Sequence, residues 1–178
     1  MPSARTPLSA LTGIVLIVAP LLAMGLKLVS FGWTMVFLLF FGPILVLIAG
    51  YAMQIVIAVQ GFLSTRALFG AARVRATIAA WLTSLGAIVL GVFMMDGGDS
   101  DYGSTFQVWL GAYGPNGDAV HASTDGLTST VGMVSGLVWA AGFVWLTVEW
   151  MVALSRRRRA RLAAHPIVVT APAGHAGP

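Results

Sequence analysis

Glu149 is the only glutamate in the chain and the only acid inside a long apolar stretch. A carboxylate in that setting serves proton or cation coupling, a partner contact, or a structural role near the headgroups. Its place near the C-terminal end of its stretch favours the structural role, with Gln60, Arg73 or the following arginines as partners. Coupling carboxylates of transporters sit nearer the membrane midplane. Lys27 is the only lysine and lies near the end of the first apolar stretch. It can snorkel to the surface or pair with Asp96, which the order of the stretches places at similar depth.

Asp96, Asp99 and Asp101 in the run DGGDSD are the obvious oxygen ligands for a divalent cation. Calcium takes roughly six to eight oxygens from a defined loop. An EF-hand needs D-x-[DN]-x-[DN]-G and a distal Glu, and this loop has neither. A hydrated acidic loop is the favoured reading, and no metal is expected.

The remaining reactive types are scarce. His121 lies between the third and fourth apolar stretches, and His165 and His175 lie near the C-terminus. No apolar stretch holds a histidine, which excludes a haem ligated by two histidines within them. There is no cysteine, so disulfides, thiolate metal sites, thiol catalysis and c-type haem attachment are excluded. No HExxH, no Gly-rich phosphate loop and no serine with a base stands in the stretches. No enzymatic activity and no cofactor are expected.

Two rows of small residues carry a different chemistry. Gly132, Gly136 and Ala140 recur at four-residue spacing in the fourth stretch, and Thr83, Ala87 and Gly91 in the third. Such rows let helix backbones approach closely. They predict packing of these two helices against each other, with a dimer or partner interface as the alternative.

The elements that position these residues follow from length. A membrane-crossing helix needs roughly 20 mostly apolar residues. Four stretches qualify, at residues 11–30, 33–62, 74–95 and 131–154. Pro20 lies inside the first and Pro43 inside the second. The second is longer than a bilayer requires, so it tilts, kinks at Pro43 or projects. Gln54 and Gln60 in its second half favour projection or burial against a neighbour. The retained first helix is favoured over a cleaved signal peptide, because its apolar run is too long for a signal core and no A-x-A-like site follows.

Residues 96–130 form the one sizeable segment outside these stretches. Phe106 to Tyr113 (FQVWLGAY) precedes Pro115-Asn116-Gly117, strong turn chemistry, and then Ala119 to Thr124. This predicts a β-hairpin lying on the membrane surface. The alternative is an interfacial helix over Thr105 to Ala112 that dips Phe106, Trp109 and Tyr113 into the headgroups.

Charge sorting orients the whole. All nine arginines fall before the first stretch, between the second and third, or after the fourth, and all five aspartates fall between the third and fourth. By the positive-inside bias both termini are expected to be cytoplasmic and 96–130 extracytoplasmic. The run Arg156, Arg157, Arg158, Arg159 with Arg161 serves as an orientation signal and attracts anionic lipid, about 1 kcal/mol per basic residue. The net charge of +4 and pI near 10.4 thus imply no nucleic-acid partner, since no soluble basic face exists.

Only 9% of residues are charged and 58% are hydrophobic, against roughly 25% charged in soluble domains. The expected fold class is an all-α integral membrane protein of the cell membrane. It is a four-transmembrane-helix bundle with a small extracytoplasmic loop subdomain between helices three and four. Residues 1–10 form a short cytoplasmic N-terminus, 11–155 the membrane domain, and 156–178 a basic, disordered cytoplasmic tail. Nine arginines to one lysine, with abundant Ala and Gly, point to a GC-rich bacterial genome.

The function expected from this inventory is non-catalytic: an accessory or assembly subunit, or a scaffold, contacting the lipid bilayer and other membrane proteins or a second copy of itself. The alternatives are a small oligomeric transporter or channel built on Glu149, Gln54, Gln60 and the two prolines, and an envelope sensor that uses the acidic outer loop.

Overall fold

The computed structural model describes residues 7–41, 43–64, 68–98 and 101–164. Arg5, Arg66, Asp99, His165 and His175 lie outside them. Among the described residues four helical segments are long and apolar enough to cross a membrane: Pro7–Ser30, Pro43–Leu63, Gly70–Phe93 and Gly117–Ala164. This is the pattern of a multi-pass, all-α membrane protein.

Helix α1 (Pro7–Lys27) starts on a proline, whose missing N–H costs nothing at the first helical position. A 3-10 turn over Leu28–Ser30 closes it. Pro20 lies within α1 and cannot donate to the carbonyl of Leu16. Gln54 of α3 supplies that bond, with Nε2 2.8 Å from the Leu16 oxygen, and Tyr51 Oη donates to the next carbonyl, Ile17, at 3.0 Å. The bond keeps the Leu16 carbonyl from standing bare among apolar groups, so Gln54 is buried against a neighbour and does not project.

The second apolar stretch divides. Helix α2 (Trp33–Phe40) has eight residues, and α3 (Pro43–Ala58) begins at Pro43 and runs on through a π-turn over Val59–Leu63. Proline removes one N–H and crowds the preceding turn, so a single helix over 33–62 is interrupted there.

Helix α4 (Arg73–Phe93) is central and packs on both α1 and α6. The approach is close enough to exclude a Cβ. One added at Gly91 would lie 2.6 Å from the Ala23 carbonyl oxygen of α1, and one at Gly142 of α6 would lie 2.8 Å from the Thr83 nitrogen. The apolar core gathers at the basic end, where Leu16, Ile57, Phe62, Phe69, Ala79 and Leu146 are buried together and the Phe62 and Phe69 rings stand 5.2 Å apart.

Residues 106–124 form no hairpin. Helix α5 (Thr105–Trp109) occupies the first half, and α6 (Gly117–Ala164) already begins at Gly117. The reason is capping. Ser104 and Gln107 form a reciprocal capping box, while Asp118 in the first turn of α6 suits its positive end. Pro115-Asn116-Gly117 therefore feeds a helix and not a second strand. The only strand pairing among the described residues is a two-residue antiparallel bridge, β1 (Asp96–Gly97) with β2 (Tyr102–Gly103).

Helix α6 also outruns its predicted span at both ends. Its 48 residues extend about 72 Å at 1.5 Å per residue, against a hydrocarbon core of about 30 Å. The basic run is part of this helix through Ala164, which corrects the expectation of disorder from residue 156.

Candidate functional site

Two polar clusters stand at opposite ends of the helices. The larger is at the acidic end. Lys27 at the end of α1 is buried, and its three ammonium protons reach the Ser30 carbonyl at 3.1 Å, Ser30 Oγ at 2.9 Å and the Met94 carbonyl at 2.8 Å. Asp96 Oδ2 lies 3.9 Å away, also buried. Lys27 therefore pairs with Asp96 and does not snorkel.

The Asp96 carboxylate does more than neutralise Lys27. It accepts from the backbone N–H groups of Gly32 at 3.2 Å, Thr34 at 2.8 Å and Met35 at 3.1 Å. These are the first N–H groups of α2, which has no side-chain cap of its own. An acid from a distant part of the chain caps the helix. Gly32 permits this, because a Cβ there would lie 2.7 Å from Asp96 Oδ1. Burial pushes the Asp96 carboxyl up. The Thr34 N–H and hydroxyl, the Lys27 charge and the Met35 N–H outweigh it and hold the group below the usual carboxylate range.

A hydroxyl relay extends the cluster to α5. Thr105 Oγ1 donates to the Leu26 carbonyl at 2.7 Å, so the 3.2 Å contact between Ser30 Oγ and Thr105 Oγ1 takes its proton from Ser30. Two residues on, Gln107 is fully buried. Its Oε1 accepts from Ser104 N at 2.9 Å, and its Nε2 donates to Thr124 Oγ1 at 3.1 Å and Asp125 Oδ1 at 2.7 Å. Asp125 also faces His121 Nδ1 at 3.2 Å and accepts from Tyr102 Oη at 3.2 Å. The Tyr102 and His121 rings stack 4.1 Å apart. Helix α5 thus links the end of α1 to the outer part of α6. Its Trp109 and nearby Tyr113 are exposed, while Phe106 stacks on Phe93 at 4.9 Å.

The cation reading of the acidic loop loses its first ligand here. Asp96 is turned inward with its oxygens engaged. Asp99 lies outside the described residues. Among the described residues no group of three metal-ligating side chains occurs.

The smaller cluster is at the basic end. Glu149 Oε1 lies 2.8 Å from Arg75 Nε, and Oε2 accepts from the other arm of that guanidinium at 3.3 Å. Trp145 Nε1, one turn earlier, donates to Oε1 at 3.4 Å. Glu149 thus pairs with Arg75. Gln60 instead accepts from Trp150 Nε1 at 3.1 Å. The Arg75 side chain is 59% exposed and that of Glu149 is 10% exposed, so the pair sits at an edge.

The small-residue rows are placed unevenly. Gly132 meets the Phe93 backbone, Gly136 touches the Leu90 side chain, and Ala140 is exposed. Thr83 and Ala87 are buried, but Gly91 faces α1. A strict four-residue row drifts around a helix of 3.6 residues per turn. The buried face of α6 advances by three, four or seven residues, through Gly132, Ser135, Gly142, Leu146, Glu149 and Ala153.

Several members of the clusters were not singled out from sequence: Arg75, Ser30, Thr34, Thr105, Gln107 and Asp125. The Ser104-x-x-Gln107 box and the i, i+4 pair His121–Asp125 are legible signals for two of them, Gln107 and Asp125. Nothing local marks the others. No family model, curated protein or solved structure matches the chain, so the geometry of these two clusters is the ground for any functional reading.

Proposed function

We propose that this chain is a non-catalytic scaffold or accessory subunit of the cell membrane, with both termini cytoplasmic and the 96–130 segment extracytoplasmic. It holds other membrane proteins, or a second copy of itself, against its apolar helix faces. The observation that carries this reading is the use made of the charges. Lys27 has each proton in a hydrogen bond and Asp96 beside it. Glu149 is held by Nε and Nη2 of Arg75. A coupling residue has to release a proton or ion and reload it, and these contacts bind the groups into the frame. The faces of α2 and α3 supply the contact area, with Phe40, Leu45 and Val46 each at least 71% exposed.

A photo-crosslinker at Leu45 or Val46, followed by purification in mild detergent and mass spectrometry, tests the proposal. A stoichiometric protein adduct, or a dimer of the chain, is the expected result. Adducts to lipid alone at both positions would sink it. Sensing is the second reading, favoured by the Tyr102–His121–Asp125 cluster joined through α6 to the basic end. Unchanged partner capture after replacement of His121 and Asp125 would leave the scaffold reading alone.

A further inference from the structure

A cleft of about 300 Å³ opens at the basic end, between residues 68–72 and the last turns of α6. Small side chains keep it open. Gly70, Ala71 and Ala72 line one wall, and Ala153 and Ala160 the other. Arg156 and Arg157 line the same wall as the alanines. Glu149, the acid among the lining residues, has both oxygens on Arg75, and the other charged residues of the lining are Arg156 and Arg157. The first turn of α4 adds the positive end of its dipole. Val152, exposed, continues the cleft onto the apolar flank of α6.

We infer that this cleft binds the phosphate headgroup of one anionic phospholipid, with the acyl chains lying along the flank at Val152. Cationic side chains beside a hollow select a phosphate monoanion. The apolar wall beside it selects a ligand with chains. The inference depends on membrane residence of the four apolar helices and not on any partner of the scaffold. It separates Arg156 and Arg157, which line a hollow, from Arg158 and Arg159, which do not. Attraction of the whole arginine run to an anionic surface draws no such distinction, because each basic residue near the surface contributes alike.

The test uses the full chain, purified and delipidated in detergent, titrated with phosphatidylglycerol, phosphatidylcholine or inorganic phosphate and read by native mass spectrometry. Each variant is first checked for unchanged thermal unfolding. Wild type is expected to retain one phosphatidylglycerol in preference to phosphatidylcholine. R156Q/R157Q is expected to weaken that binding about tenfold or more, and R158Q/R159Q by less than about twofold, although both remove the same charge. A160F, which fills the hollow without touching charge, is expected to match R156Q/R157Q. Equal losses in the two arginine variants, or wild-type binding in A160F, would overturn the site. Saturation by inorganic phosphate at the same concentration as phosphatidylglycerol would overturn the lipid as its ligand.

Discussion

The acidic end and the basic end of this molecule treat charge in opposite ways. At the acidic end Lys27 and Asp96 are buried and every hydrogen-bonding direction of the ammonium is used. At the basic end Glu149 and Arg75 form a closer pair, 2.8 Å against 3.9 Å, yet the Arg75 side chain stays largely exposed. Distance alone would rank the basic pair as the stronger. Burial reverses the ranking, because a buried charge left without its partner has no water to fall back on, while an exposed one does. The acidic end is therefore a structural clasp tying α1, α2, β1 and α5 together. The basic end is open, and the cleft beside it is where a ligand can enter.

The sharpest way to break this comparison is Asp96→Ala. It strands Lys27 and uncaps α2, and should destabilise the folded chain by about 3–5 kcal/mol, read as thermal unfolding in detergent. Pairing it with Lys27→Met should recover part of the loss, and a purely additive double variant would show that the pair is not coupled. Acid should act in the same direction. The folded pKa of Asp96 is depressed, so its contribution is complete above the ordinary carboxylate range and is lost as pH falls through the depressed value. Asp96→Ala should flatten that acid limb.

Gly91→Ala comes next, since its Cβ meets backbone that cannot rotate away. Overpacking of this kind costs about 1–3 kcal/mol, and α1 should loosen from α4 in cysteine crosslinking between them. Gln54→Leu should cost less, about 1 kcal/mol, because it deprives the Leu16 carbonyl of a single bond. Replacing Pro20 by Ala in the same chain should abolish that cost, as the helix then satisfies Leu16 itself. The smallest effect belongs to the basic end. Glu149→Gln should change stability by less than about 1 kcal/mol. A loss as large as that of Asp96→Ala would erase the contrast between the two ends.

How far the sequence was readable differs between these ends. Lys27 and Glu149 are the exceptions in an otherwise sorted charge pattern, and depth alone allows Lys27 to pair with Asp96. The capping of α2 by Asp96 was not readable, because the N–H groups it serves lie more than sixty residues away and carry no side-chain signature. On α6 the four-residue row predicts a contact at Ala140, which is exposed. The buried face steps by three, four or seven because neighbouring helices pack along 3.6-residue geometry. At Pro115-Asn116-Gly117 the turn chemistry is common to hairpins and to helix starts, and here it starts α6. The capping box at Ser104 was the better witness.

By itself the sequence determined the class of this protein: four apolar segments of spanning length, their helical character, and the segregation of arginine from aspartate. Those follow from local composition and from the bilayer's demand that every backbone group be bonded within the segment. The tertiary structure alone decided which polar groups meet. Gln54 serves the carbonyl that Pro20 orphans, Asp96 caps a helix it does not belong to, and Arg75 of α4 reaches Glu149 of α6. Such choices depend on the rotation and depth of each helix against its neighbours, which side-chain packing sets and no local sequence signal encodes.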